Sequence, residues 1–410
     1  MKPVRADLSM GNPAEALREL EHVFPDSTGK NRLLYLMELG NLCRLSGDQA
    51  RAQSTLITAD RLSDLQRGTD IGSEIGALLT SDLAREFRGA DYEKVFINYC
   101  LAASFAADGN IEDALVEARR VNEKLKVFNQ EYSHQNRYSD DAFIRYLMGV
   151  LYEAGGDLDD ALVSYRLGAA LYDSVYARDY GIEVPEALKA DILRLSNALG
   201  FSSISDEYSG MWPGIEWEAR APVDGMGEVV LILEVGNISA RREHVHVFST
   251  DNKVYSLALP SIPYFPLVPV SASIHSGRFR EQLFLVEDLN GIARKNLEDH
   301  AARDVAAAIA RLLVKAGISE AGESIVREVT DNEDLAEGIG FLLSLMGAAA
   351  ERADLRAWLT LPAQIYMARM LLPSGDQPID VYVSGRLVYS SPSVSISNGG
   401  IELVFLREGF

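Results

Sequence analysis

The sequence predicts an α+β multidomain protein: an N-terminal array of helical hairpins followed by an antiparallel β-rich domain with a helical insertion. Three observations carry this. Four Gly-Asn or Gly-Asp pairs punctuate the first 175 residues, the apolar period changes from near 3.6 to 2 past residue 200, and Trp212-Pro213-Gly214 marks a break. The expected boundaries are 1–200 for the helical domain, 201–214 for a linker, and 215–410 for the β-rich domain with inserted helices at about 292–352.

The helical half is read from its turns. Gly11-Asn12, Gly47-Asp48, Gly109-Asn110 and Gly156-Asp157 each close a helical stretch, and an alanine follows each glycine by five residues: Ala16, Ala52, Ala114, Ala161. A glycine ends a helix in the left-handed conformation, and the adjacent Asp or Asn suits the start of the next helix. Small residues recur seven positions before the last three glycines, at Gly40, Ala102 and Gly149, where paired helices must approach closely. This punctuation resembles the tetratricopeptide repeat, whose period is about 34 residues. The glycines are 36, 62 and 47 residues apart. The sequence therefore predicts an extra helix at about 70–88 and added length around 124–140. Before Pro13 no first helix is legible, so the first unit reads as half a repeat.

Past residue 214 the elements are strands. Glu228–Gly236 is a continuous β-branched run, Glu243–Phe248 alternates, and Val254–Leu259 is a third short strand. Pro260–Pro269 is proline-rich and excluded from a central strand. Residues 281–287, 379–389 with a Ser384-Gly385 turn, and 401–406 complete the set. Helices are expected at about 292–316, 319–329 and 335–352.

Composition bounds the function. A net charge of −21 lacks the basic stripe that phosphate backbones require, so nucleic acid is excluded as a partner. No segment has the ~18 uninterrupted apolar residues of a membrane span. Cys43 and Cys100 fall at core positions of predicted helices and read as buried thiols.

The most specific string is Ala353-Asp354-Leu355-Arg356-Ala357-Trp358-Leu359-Thr360-Leu361-Pro362. It resembles the ADxRSWxTLP motif of a family of uncharacterised bacterial envelope proteins, many of them lipoproteins with tetratricopeptide-like N-terminal halves. Tyr92-Glu93 with Asn98-Tyr99, the helix at 109–120, the strand at 228–236 with Leu259-Pro260, and the helix at 306–315 match other pieces of that family in order. The resemblance implies a periplasm-facing scaffold and no reaction. Family members carry a signal peptide and a lipidated cysteine, and this sequence shows neither. As it stands the chain reads as cytoplasmic. The resemblance and the half-repeat favour the periplasm or the periplasmic face of the outer membrane, with a signal and anchor upstream.

Chemistry candidates are few, and no cofactor or metal is expected. His244 and His246 share one face of a strand without a third ligand in evidence. Glu117, Arg119 and Arg120 flank an inward alanine seam and suit a link between helices, with a partner-binding role as the alternative. An arginine between an acid and an indole, as in Asp354/Arg356/Trp358, suits a junction of ion pair and stacking, with an exposed interaction site as the alternative. The groove-facing positions of the first helices are Asn41 and Arg44, Phe96 and Tyr99, and Tyr146 and Glu153. The expected function is a non-enzymatic scaffold that holds an envelope protein in this groove. The alternative is a hydrolase-type or metal-dependent enzyme with a site between the domains, using His244, His246 or Asp354.

Overall fold

The computed structural model describes residues 1–24, 28–68, 85–131, 140–217, 223–250, 253–263, 268–299 and 353–409. Among these residues, ten helices pair into five hairpins: α1 (Lys2–Ser9) with α2 (Pro13–Val23), α3 (Arg32–Leu45) with α4 (Gln49–Gly68), α5 (Asp91–Ala107) with α6 (Ile111–Glu131), α7 (Ala142–Ala154) with α8 (Leu158–Leu171), and α9 (Glu186–Ala198) with α10 (Ser202–Met211). The four predicted glycines stand at φ 75°, 88°, 74° and 86°. Each turn closes in the same way. The residue after the glycine donates to the carbonyl five back, as Asp48 does to Cys43 and Asp157 to Tyr152, both at 2.9 Å. This satisfies carbonyls that a helix end would otherwise leave unpaired.

Close approach explains the small residues. A Cβ on Gly149 would run into the Tyr165 ring, and one on Gly40 into the Leu56 side chain. Ala16, Ala52, Ala114 and Ala161 are all fully buried.

Two expectations fail here. Residues 2–9 form a true first helix, with Val4 and Leu8 buried, so the first unit is a whole hairpin and no longer argues for a missing half-repeat. Its eight residues offer only two apolar contacts, too few for periodicity to register. The segment expected as linker is α10, and Gly200 (φ 75°) closes a fifth turn by the same hydrogen bonds. Phe201 stands where the other turns carry Asp or Asn, which hid it.

Among the described residues the β-rich half has two four-stranded sheets and a separate hairpin. The first sheet runs in the order β10 (Ile401–Glu408), β1 (Met226–Val235), β7 (Gln364–Pro373), β6 (Phe284–Asp288). The second runs β5 (Phe279–Gln282), β4 (Ala272–Ser276), β8 (Gly375–Val383), β9 (Arg386–Ile396), and β2 (Arg242–Thr250) pairs with β3 (Lys253–Ser261). These pairings are antiparallel except β1 with β10. Ser384 and Gly385 both take positive φ at the β8–β9 turn, as a tight hairpin requires. The run at 281–287 is broken into β5 and β6, and β3 extends through Pro260, which an isolated hairpin tolerates. Strands β4 and β7 were not foreseen. A helix occupies 289–299. The expected helices at 70–88 (apart from its last residues), 319–329 and 335–352, and the end of the one at 292–316, lie outside the described residues.

Alternation along β1 and β7 sets the layers. Val229, Leu231 and Leu233 with Ala368 and Met370 face Ile274, Ile379 and Val381 of the second sheet. Val230, Ile232, Ile365 and Met367 face the other way and join the core of the helical array. The first sheet is therefore buried on both faces, in a stack of helices, sheet and sheet.

Candidate functional site

The first helices of the hairpins share one side of the array, and the first sheet lies against it. On β1 the period of two that aims Val230 and Ile232 at the helices also aims Glu228 and Glu234 there. On β7 it aims Arg369. Glu234 is paired in register with Arg407 of β10. Charged side chains on a doubly buried sheet need partners, because an isolated buried charge is prohibitively costly.

The partners come from the first helices, in two networks. At one end the Arg44 Nη2 donates to both Glu234 oxygens at 2.8 Å, and Tyr99 Oη donates to the same carboxylate at 2.9 Å. Arg407 Nη1 lies 3.3 Å from the carboxylate oxygen that Tyr99 leaves free. Asn41 accepts from the Arg44 guanidinium and donates to the Thr360 carbonyl at 3.0 Å. Burial alone would raise the Glu234 carboxyl; Arg44 and Arg407 reverse this and hold it below its ordinary value. At the other end the fully buried Arg369 meets Asp191 (2.9 Å), Glu153 (3.1 Å), Tyr165 Oη (2.8 Å) and Glu228. Arg194 pairs with Glu153 at 2.6 Å, and Tyr146 Oη donates to Asp191 at 2.8 Å.

Beside the first network runs the 353–362 segment, held by its backbone. Glu93 accepts from Trp358 N–H at 2.7 Å, and Glu38 accepts from Leu359 and Thr360 N–H at 2.8 and 3.1 Å. Trp358 is wholly buried, and its indole N–H donates to Thr360 Oγ1 at 3.0 Å. Burial pushes the Glu38 carboxyl up to about 7, against the pull of its hydrogen bonds from Thr360 and Leu359. Asp354 pairs with Arg356 at 2.6 Å, and Arg356 also reaches Asn31 Oδ1 and the Arg85 carbonyl. The expected junction is present, with one change: the ring under Arg356 is Phe87, 5.7 Å away, and Trp358 is spent in the core.

A third contact lies beyond Arg369. Tyr172 Oη donates to the Val286 carbonyl at 2.8 Å and Tyr176 Oη to Glu287 at 3.1 Å. Burial, then the neighbouring Asp141 carboxyl, raises Glu287 well above the usual carboxylate range.

All six groove positions are therefore engaged inside the molecule. Asn41, Arg44, Phe96, Tyr99 and Tyr146 are buried, and the Glu153 side chain is only 9% exposed. The expectation that they form an open partner surface is corrected: the chain's own sheet fills the groove. Glu117 and Arg120 link helices as expected, Glu117 accepting from Asn98 at 2.7 Å and Arg120 lying 3.4 Å from Asp60 of α4. Arg119 donates to Tyr152 Oη at 2.8 Å and stacks over its ring. His244 is exposed on the β2–β3 hairpin, and no group of three metal-ligating side chains occurs among the described residues. Cys43 and Cys100 are buried free thiols, raised to about 11 and about 12 by burial.

Sequence reasoning missed Glu38, Glu93 as a clamp, Asp191, Arg194, Glu228, Glu234, Arg369 and Arg407. The available signal was a charge inside an otherwise apolar strand, as in Glu234 within Val229–Val235.

Fold and site define an array of helical hairpins whose first-helix face is covered by the chain's own β-sheet. No protein-family model matches the chain, and no curated protein does. Two solved structures of a Podosopora anserina putative kinesin light chain with nearly identical TPR-like repeats are similar to it, one of them of a point variant. Each is 15% identical, covers 53% of this chain and 93% or 94% of its own length, and superposes with a TM-score of 0.34 or 0.35.

Proposed function

We propose that this protein is a non-enzymatic scaffold of the bacterial cell envelope, which meets its protein partner on a surface other than the groove. The observation that carries the reading is the closed seam. The ionisable groups that converge between the two halves, Glu38, Arg44, Glu93, Asp191, Glu234 and Arg369, are spent on one another and on backbone N–H groups. Of the motifs that carry the envelope resemblance, Glu93, Tyr99, the strand at 228–236 and the 353–362 segment lie at this seam.

What the seam leaves exposed is the outer face of the second helices. Val116 and Val163 each stand seven residues after their turn glycine and are 42% and 53% exposed, and Leu167 follows one turn later at 45%. Capture from envelope extracts with the full chain, compared with the Val163→Glu/Leu167→Glu double variant, tests the reading. An envelope protein held by the native chain and lost by the variant supports it. Equal capture by both, or capture of no envelope protein, sinks it. The compartment is tested separately, by fractionating cells for the native gene product: recovery in the soluble cytoplasm would withdraw the envelope assignment.

A further inference from the structure

The two ion-pair networks are unbalanced in opposite directions. Around Arg369, two guanidiniums (Arg369, Arg194) meet three carboxylates (Asp191, Glu153, Glu228). Around Glu234, two guanidiniums (Arg44, Arg407) share one carboxylate. The surplus cation lies beside a cleft of about 240 Å3 at the edge of the seam, between the first helical turn, α3, α5 and β10, and both arginines line it.

Arg44 uses Nε and Nη2 on Asn41 and Glu234 and also meets the Cys100 thiol. Arg407 uses Nη1 and Nη2 on Glu234, Asn237 and the Thr360 and Leu361 carbonyls. Its Nε is buried without a hydrogen-bond partner, in a side chain only 8% exposed. A buried donor left unpaired costs about 1–3 kcal/mol, and a guanidinium short of counter-charge costs more. Burial lowers Arg407 to about 10, the response of a cation not fully compensated by Glu234.

Apart from Gln49, the other side chains of the lining are apolar, with Leu45, Ala103, Ala107 and Phe405 prominent. The volume falls below the roughly 300 Å3 at which drug-sized pockets begin, so the occupant is small. We propose that this cleft binds a small monocarboxylate with an apolar tail, its carboxylate between Arg44 and Arg407 and its tail along the Ala103–Ala107 face of α5. A carboxylate accepts from guanidinium N–H groups and would supply the counter-charge that Glu234 leaves incomplete. The site goes beyond the scaffold reading and stands or falls without it.

Titration of the full chain with octanoate, octan-1-ol and acetate, read by calorimetry and by the thermal midpoint, tests it. Octanoate is expected to bind saturably and raise the midpoint, with the alcohol and acetate each at least about tenfold weaker. Ala107→Phe fills the exposed rim without touching either network. It is expected to weaken octanoate by about tenfold or more while leaving the unliganded midpoint near the native value. Arg407→Lys should weaken octanoate while sparing octanol. Equal affinity for octanoate and octanol, undiminished binding by Ala107→Phe, or no saturable octanoate binding at millimolar concentration would each overturn the proposal.

Discussion

The first and second helices of each hairpin share one sequence grammar and differ in how much of themselves they bury. In α5, 14 of 17 residues are buried, among them Asp91, Glu93, Asn98 and Ser104; in α8, 6 of 14 are. A helix buried all round must be covered on two sides. The second helices cover one side of α5, and the first β-sheet covers the other. In a repeat array with an open groove, one side of every first helix would remain in water. The polar residues on that side, Asn41, Arg44 and Tyr99, look alike in sequence whether they await a partner or already hold one. Here they hold Glu234 and the 353–362 segment, and the array is a casing for its own sandwich.

The sharpest way to break this picture is at Arg369. Replacing it with Met should leave Asp191, Glu153 and Glu228 buried without their cation, at a cost of about 3–5 kcal/mol. Denaturant unfolding should show a lower midpoint or no cooperative transition. A loss below about 1 kcal/mol would mean that the seam is far wetter than the fully buried Arg369 implies.

Next in size are the glycines, which separate packing within a hairpin from its turn geometry. Gly149→Ala drives a Cβ into Tyr165, whose hydroxyl serves the Arg369 network, and should cost about 1–3 kcal/mol. Gly156→Ala meets open space and carries only the strain of φ 86°, about 1–2 kcal/mol. Only the first should also perturb near-ultraviolet signals from the buried tyrosines.

The pH dependence tests the clamp on 353–362. The Glu38 carboxyl is raised from 4.5 to about 7 in the folded chain, so it binds more protons folded than unfolded. Its contribution is fully present below about pH 4.5 and is lost as the pH rises through about 7. Glu287, also raised, adds in the same direction, while Glu234, lowered, opposes it at acid pH. Thermal midpoints measured across this window should fall towards alkaline pH in the native protein and fall less in Glu38→Gln. Parallel profiles for the two would contradict a shifted Glu38.

The smallest effect is expected on the outer side. Arg120 is 47% exposed in its side chain, and Arg120→Ala should cost less than about 1 kcal/mol, although it removes contacts to both Asp60 and Glu117. A larger loss would place the hairpin-to-hairpin links on a par with the seam.

The legible parts share a physical cause: each is set by contacts close in sequence. The glycine turns, the small residues at 40, 102 and 149, and the Ser384-Gly385 hairpin follow from backbone conformation and from packing between consecutive helices. Strand β7 was not legible because Gln364–Pro373, with Tyr366, Met367, Ala368, Arg369, Met370 and Leu371, lacks alternation. A strand buried on both faces has no polar side to display. Its single arginine reads as a mark of solvent and is in fact the most enclosed cation of the Glu153–Asp191–Glu228 network.

The amino-acid sequence by itself determined the repeats, their turns and most strands, because φ preferences, side-chain size and hydrophobic period act over a few residues. Only the tertiary structure decided what the groove holds. Arg44 meets Glu234 across 190 positions and Glu38 meets Thr360 across 322, and such pairings exist only once the sheet has docked. The same residues that would recruit a partner from solution are satisfied within the chain, because a sheet tethered to the array needs no second molecule to find it.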